Sequence, residues 1–309
     1  LMNYRLGIDT SCYTTSVAIM DDSGNLLADV RKVLTVKPGG RGLAQSEMVF
    51  QHTRNLPLVF AEAMAQFSGP VRFKSVTVSN RPRPLPGSYM PAFLVGEGYG
   101  KVLTVSQQIP LYKISHQENH IWAGRWSADG PKGTDFLAVH ISGGTTEIVK
   151  VGIGSSQQMS IDLLGGSLDI SAGQFVDRIG VALNLPFPAG SHLEKLADCG
   201  RSGLCKVPVA VRNLNVSFSG AETYVRRLLA QGEPPAALAA GVQLCVAETL
   251  VKLMKQAVAQ TGLTEILLVG GVSANQFIRD YLCRHSQGFS LFFPDSRYSS
   301  DNAAGCAFC

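Results

Sequence analysis

Charged side chains are scarce in this sequence. They make up 16% of 309 residues, against 45% hydrophobic, a balance that excludes an extended disordered chain and calls for compact cores. A disulfide framework is lacking as well. Seven cysteines, an odd number, lie scattered at 12, 199, 205, 245, 283, 306 and 309, which fits a reducing compartment and leads us to expect a cytoplasmic protein. No run approaches the roughly 20 apolar residues of a membrane helix, so no membrane partner is expected. Strand-like alternation starts within a few residues of Met2, so a signal peptide is not expected either. The net charge of +4 permits contact with nucleic acid without arguing for it. The HExxH pattern of zinc proteases is also missing. In His116-Gln117-Glu118-Asn119-His120 the glutamate comes one position late, and a hydrolytic reading has no obvious base.

A chain of this length suits two domains of ordinary size, each with its own core. Leu137 to Lys150, LAVHISGGTTEIVK, reads as a strand, a small-residue turn and a second strand. The Ser142-Gly143-Gly144-Thr145-Thr146 corner has little side chain and many N–H and hydroxyl groups. That composition suits close approach of a phosphate, although Gly and Thr are also ordinary turn residues. A second copy tips the balance. Leu6 to Ile19, LGIDTSCYTTSVAI, overlays the first without a gap at an offset of 131 residues (Leu6 on Leu137). Two polar corners in one strand–turn–strand frame imply two related domains that can grip one ligand across a cleft. Asp9, ending the first strand, could hold a metal, orient a water or simply terminate the strand.

Between and after these hairpins the elements alternate. A strand is expected over 25–36, then a loop at Pro38-Gly39-Gly40-Arg41-Gly42. A helix follows over 43–67, which Pro57 should kink or break. A strand over 73–79 leads into the stiff, basic Asn80–Gly87 loop, whose Arg81 and Arg83 are either solvated or near phosphates. Helix 91–105 and strand 111–115 follow. Ser115 with Glu118 forms a capping box, which puts His116 and His120 at i and i+4 on one helical face. Such a pair reads equally as two ligands of one metal or as two polar, half-buried histidines. In the second half, helices are expected over 168–185, 191–197, 221–231 and 234–260, with 199–215 irregular. Strand 265–269 ends in Gly270-Gly271-Val272-Ser273-Ala274-Asn275, a turn and helix start suited to a nucleotide. Ser299-Ser300-Asp301-Asn302 should cap a last helix, with Asp301 readable as the N-cap. In that helix Cys306 and Cys309 share a face, as a buried pair.

Taken together these segments resemble the TsaD-like tRNA threonylcarbamoyladenosine transferases, a family that has also carried the name O-sialoglycoprotein endopeptidase, or glycoprotease. The resemblance runs over nearly the whole chain. It is carried by LGIDTSC at Leu6, PGSYMPAFLVG at Pro86, HQENH at His116, SGGTTEIV at Ser142, DISAGQFVDRIG at Asp169, Pro188-Ala189-Gly190, SFSGAET at Ser217, GGVSAN at Gly270 and SSDNAA at Ser299. It implies an α/β fold of two ribonuclease H-like domains of the actin, heat-shock ATPase and sugar-kinase (ASKHA) superfamily. The domains would cover 1–112 and 113–299, with 300–309 packing back on the first and the metal and nucleotide sites at the cleft. It further implies one divalent metal, iron or zinc, held by His116, His120 and Asp301. The adenine nucleotide, threonylcarbamoyl-adenylate or ATP, would be held by Ile141, Ser142, Gly143, Gly144, Thr145, Asp177, Gly190 and Asn275. The implied partners are tRNA, a homologous non-catalytic subunit and a small ATPase. The implied reaction is transfer of the threonylcarbamoyl group to the exocyclic amine of an anticodon-loop adenosine.

The chain departs from the family pattern at five positions. Tyr13-Thr14 stands where the family has Asp-Glu, Thr145 where it has histidine, Gln174 where it has an acidic residue and Glu222 where it has lysine. Two readings follow: an active, metal-dependent transferase, or a catalytically altered nucleotide-binding scaffold that regulates a true transferase.

Overall fold

The computed structural model describes residues 3–36, 43–200, 203 and 205–309, so the expected loop at Pro38–Gly42 lies outside the described residues. The chain divides into two compact units. One runs up to Ala128 and takes back Ser300–Cys309, and the other is Asp129–Ser299. The division falls after Ala128 and not at the border expected at 112, so the segment with His116 and His120 belongs to the first unit.

In the first unit, β1 (Asn3–Asp9), β2 (Thr14–Met20) and β3 (Leu26–Val33) form an antiparallel meander. Helix α1 (Gln45–Met64) then leads to β4 (Arg72–Arg81), and α2 (Phe93–Gln107) leads to β5 (Leu111–Ser115). Strand β4 adds in parallel beside β1 and β5 in parallel beside β4, giving the order β3-β2-β1-β4-β5. Alternation fixes which side of β1 meets which helix. Leu6 and Ile8 join Leu56, Val59 and Ala63 of α1 in one core cluster. Helix α1 runs unbroken through Pro57. The unit's next helix is α3 (His116–Ser127).

The second unit repeats the plan. Strands β6 (Asp135–Ile141), β7 (Thr146–Ile153) and β8 (Met159–Gly166) form the meander. Helices α4 (Ala172–Ala182) and α5 (Gly190–Asp198) follow. Where an irregular stretch was expected, β9 (Ala210–Arg212) and β10 (Asn215–Ser217) form a two-stranded ribbon, each strand too short to leave an alternation. Helices α6 (Ser219–Ala230) and α7 (Pro235–Thr261), strand β11 (Glu265–Val269), helix α8 (Gln276–His285) and strand β12 (Ser290–Phe292) complete the unit. The sheet order is β12-β11-β6-β7-β8, which is the order of the first sheet. Registers agree too. Leu6 pairs with Ile19 and Ile8 with Val17, as Leu137 pairs with Lys150 and Val139 with Ile148, so the offset of the repeat holds across both hairpins. Helix α7 is long and apolar enough to cross a membrane by length and composition, but 83% of its apolar window is buried inside the fold. Its Leu250, Leu253 and Met254 pack with Phe175 and Ile179 of α4 in the core of this unit.

The last helix, α9 (Ala304–Phe308), belongs to the first unit, and two glycines let it in. A Cβ at Gly7 would lie 2.4 Å from the Ala303 carbonyl oxygen, and one at Gly305 would lie 2.0 Å from the Asn119 carbonyl oxygen. Backbone meets backbone at both points, so the turn before α9 is held close to β1 and α3.

A candidate metal centre and a candidate nucleotide floor

The metal centre starts from the cap of α3. The Ser115 hydroxyl accepts the Glu118 N–H at 3.2 Å, and the Glu118 carboxylate accepts the Ser115 N–H at 2.6 Å, the reciprocal box read from the sequence. The Pro82 carbonyl of the basic loop accepts the Gln117 N–H at 3.1 Å, which uses a further donor of the helix start. Held this way, His116 and His120 lie one turn apart and meet edge to face, with ring centroids separated by 4.4 Å. Their Nε2 atoms face each other at 3.0 Å. Asp301 Oδ1 lies 3.5 Å from each of them. Asp301 does not cap α9. Asn302 Oδ1 accepts the Ala304 N–H at 2.9 Å instead, which leaves the neighbouring carboxylate turned to the histidines.

Asp9 is fully buried and points at the same place. Its Oδ2 lies 2.9 Å from His116 Nδ1 and accepts from Asn119 Nδ2 at 2.8 Å. Its Oδ1 accepts the Ser11 N–H at 2.7 Å and the Ser79 hydroxyl at 2.8 Å. Asn119 also donates to the Asn302 carbonyl at 2.6 Å and accepts the Cys306 N–H at 2.8 Å, which ties α3 to the turn that carries Asp301. Sequence reasoning missed Asn119 and Ser79. For Asn119 the signal was present, since it lies three residues after His116 on the same helix.

The electrostatics follow from these contacts. Burial opposes charge at all three groups, and the pairing overrides it. Asp9 and Asp301 are held below the usual carboxylate range by His116, and His116 is raised well above its ordinary 6.5 by Asp9 and Asp301. Two imidazole nitrogens facing each other at 3.0 Å need a proton or a cation between them. The donor set fits a divalent ion: a tetrahedral ion bound at about 2.0–2.1 Å spaces neighbouring donors by roughly 3.3 Å, close to the edges of this triangle. The Nδ1 of His116 facing a buried carboxylate is the outer-shell arrangement that orients metal-bound imidazoles.

In the second unit, the residues assigned to the nucleotide lie along one connected set of turns. Ile141 ends β6 and is buried. Beyond it Ser142 Oγ accepts the N–H groups of Gly144 and Thr145 at 3.3 and 3.1 Å, so two donors of the corner already have a weak partner. The start of α4 sits on this corner. The Ser171 hydroxyl donates to the Gly143 carbonyl at 2.9 Å, and a Cβ at Gly173 would fall 2.4 Å from the Ser142 carbonyl oxygen. Asp177 of α4 accepts the Ala189 N–H at 2.8 Å and so holds the turn that opens α5 at Gly190, while burial raises its pKa. Gly270, at φ +98°, lies against the Ile141 carbonyl. Asn275 caps α8 by accepting the Ile278 N–H at 2.9 Å. Glu194 of α5 accepts the Gln276 N–H at 2.7 Å, closing the set. A Cβ at Gly143, Gly144, Gly190 or Gly271 would meet no atom within 4 Å, so these four glycines border open space.

The departures from the family pattern take structural places. Tyr13 is 40% exposed and Thr14 is buried in β2. Gln174 completes the α4 capping box without a charge. Glu222 is buried and paired with Arg226 at 2.8 Å and Arg178 at 3.2 Å.

Two five-stranded sheets of identical order, each with a polar corner after its first strand, define a two-domain α/β fold of the ribonuclease H-like kind. Solved structures share that fold. A HypF from T. kodakarensis matches with a TM-score of 0.65 at 13% identity, covering 99% of this chain and 46% of that one. Component A of the (R)-2-hydroxyglutaryl-CoA dehydratase of Acidaminococcus fermentans matches with a TM-score of 0.56 at 16% identity, covering 99% and 96%. The sequence narrows the class. A family model for tRNA N6-adenosine threonylcarbamoyltransferase (TsaD) matches residues 28–308. The enzyme of that name from Aromatoleum aromaticum is 31% identical over 314 residues, covering 98% of this chain and 89% of the relative. That from Christiangramia forsetii is 32% identical over 313 residues, covering 97% and 89%. The chain belongs to the tRNA N6-adenosine threonylcarbamoyltransferase family.

Proposed function

We propose that this chain transfers the threonylcarbamoyl group from threonylcarbamoyl-adenylate to the exocyclic amine of an anticodon-loop adenosine in tRNA. The observation that carries the reading is the triangle of His116 Nε2, His120 Nε2 and Asp301 Oδ1 in a chain of this family. These three residues would hold one divalent ion, iron or zinc. When bound, the ion would supply a Lewis acid for a carbonyl oxygen that gains charge in the transition state.

The chain's own groups do the rest. Asp9 fixes the His116 ring with a proton on Nδ1, so that Nε2 presents its lone pair. Ser142, Gly143, Gly144 and Thr145 supply N–H and hydroxyl donors for the phosphate of the adenylate. Ile141, Asp177, Gly190 and Asn275 line the floor for the rest of the nucleotide, or for ATP. In the reaction the adenosine nitrogen attacks the carbamoyl carbon, the bond from that carbon to the phosphate oxygen breaks, AMP leaves and the amine gives up one proton. A homologous non-catalytic subunit and a small ATPase are the partners this reading assigns, with the cytoplasm as the compartment.

The test is incorporation of labelled threonine into tRNA by the protein supplied with the adenylate and its partner subunits. We expect label with the wild type and none with His116→Ala. No label above a no-enzyme control, with metal and partners shown to bind, would replace the transferase by the scaffold reading.

A further inference from the structure

Cys12 sits in the turn between β1 and β2, three residues after Asp9. Its backbone is left-handed, with φ +43°. Its thiol sulfur, a ring nitrogen of His116 and a carboxylate oxygen of Asp301 all lie within 4.8 Å of one another. The sulfur thus shares two corners, His116 and Asp301, with the triangle completed by His120. None of the other six cysteines shares this place: Cys245 and Cys306 are buried, Cys199 and Cys283 are exposed, and the Cys205 sulfur faces Glu233 at 3.8 Å. The Cys309 sulfur donates to the Cys306 carbonyl at 3.4 Å.

The turn that carries the thiol is fastened to the metal centre. Ser11 N–H binds Asp9 Oδ1, and the same carboxylate faces His116 through its other oxygen. The Thr14 N–H closes the turn on the Ser11 carbonyl at 3.3 Å. One short segment therefore supplies both the carboxylate that braces His116 and a sulfur near its ring.

We propose that Cys12 is a fourth protein ligand of the ion, which makes the donor set Cys12, His116, His120 and Asp301. The inference rests on the metal reading above. As the metal–sulfur bond forms, the thiol releases its proton to solvent, and no electron changes hands. A sulfur donor favours zinc, iron(II) or cobalt(II) over magnesium, calcium or manganese. It also sets a condition on the reaction. Four protein donors fill a tetrahedral ion, so an entering carbonyl oxygen must displace the thiolate or raise the coordination number to five.

Cobalt(II) separates the possibilities. The full chain, stripped of metal, is titrated with cobalt while absorbance and bound metal are followed, for wild type, Cys12→Ser and His116→Ala. Thermal melting of the metal-free variants shows that each is folded. We expect about one cobalt per wild-type chain, with an intense near-ultraviolet thiolate-to-cobalt charge-transfer band. Cys12→Ser should bind cobalt without that band and about tenfold or more weakly, since even outer-shell losses have effects of that size. Its preference for zinc over manganese should fall as well. Cobalt bound to wild type without the band, or a band that survives in Cys12→Ser, overturns the inference and leaves the metal reading standing. A wild type that binds no cobalt, or binds it no better than His116→Ala, overturns both.

Discussion

Asp9 Oδ2 lies 2.9 Å from Nδ1 of His116, the carboxylate fully buried and the imidazole half-buried. The contact joins the end of the first strand to the start of the third helix. It makes Asp9 a positioning residue for whatever His116 binds. Asp9→Asn keeps the shape, and its amide can still accept from some of the surrounding donors. It cannot stabilise the imidazole as the carboxylate does. We expect metal affinity to fall by about 10–100-fold with the fold intact. Chelator competition with zinc measures this, and unchanged affinity would reduce Asp9 to a strand terminator.

Asp301→Asn tests the distant ligand. The side chain stays in place and loses its charge, so we expect metal stoichiometry to collapse and threonylcarbamoyl transfer to drop by about 10²–10³-fold, the scale of losing one transition-state contact. Elemental analysis beside the transfer assay checks it. Full metal content in Asp301→Asn would remove Asp301 from the ligand set.

The dependence on pH has a definite sign. The pKa of His116 is raised well above 6.5 against the pull of burial, by its contacts with Asp9 and Asp301. The metal-free fold holds that proton more tightly than the unfolded chain does. This stabilisation is complete below about 6.5 and is lost as pH climbs through the folded value. Asp9 and Asp301, held below 3.8, stay ionised over this window and add no slope. A metal ion competes with the His116 proton, so its stabilisation grows as pH rises. In chelator the melting temperature should fall above pH 6.5, and the increment given by zinc should widen. A zinc increment that stays flat across the same range would place the competition elsewhere.

Gly305→Ala attacks packing. The added Cβ would sit 2.0 Å from the Asn119 carbonyl oxygen and 2.8 Å from the Ala123 nitrogen. Backbone cannot swing aside as a side chain can, so we expect a loss of about 1–3 kcal/mol in chemical denaturation. Metal affinity should fall with it, because the turn bearing Asp301 moves off α3. A variant with wild-type stability would show that α9 shifts freely on α3.

Gly144→Ala is the converse case. No atom lies within 4 Å of the added methyl, and the residue has no positive φ. Stability should stay within about 0.5 kcal/mol. Nucleotide affinity, read by calorimetry with AMP, should drop clearly if the corner approaches phosphate. Equal affinity in both proteins would move the nucleotide off this corner.

The parts of the fold that were legible in the sequence are local. The two hairpins announced themselves because alternation and a small-residue corner recur at one offset, and their registers match strand for strand. The His116–His120 pair was legible because a capping box fixes the helix start. Asp301 was not legible from spacing. Its sequence also suits an N-cap, and only the long-range packing of α9 on α3 decides that Asn302 takes the N–H and Asp301 faces the histidines. Asp9, Asn119 and Ser79 converge from three separate elements, and no periodicity encodes such a meeting. The β9–β10 ribbon escaped notice because three residues are too few for a pattern, and of the kink or break expected at Pro57 the break does not occur, since α1 continues to Met64.

Asn119 binds Asp9, the Asn302 carbonyl and the Cys306 N–H through one amide. A chain that emerges from the ribosome in order makes the first two of these elements long before the last. At about 5–20 residues per second, synthesis of 129–299 takes roughly 10–30 s, during which the first unit lacks the piece that carries Asp301. The second unit can fold in that interval, and the first closes only afterwards. Metal capture would then wait for the synthesis of Ser300–Cys309, so a nascent chain halted before Ser300 should bind zinc more weakly than one that includes that segment.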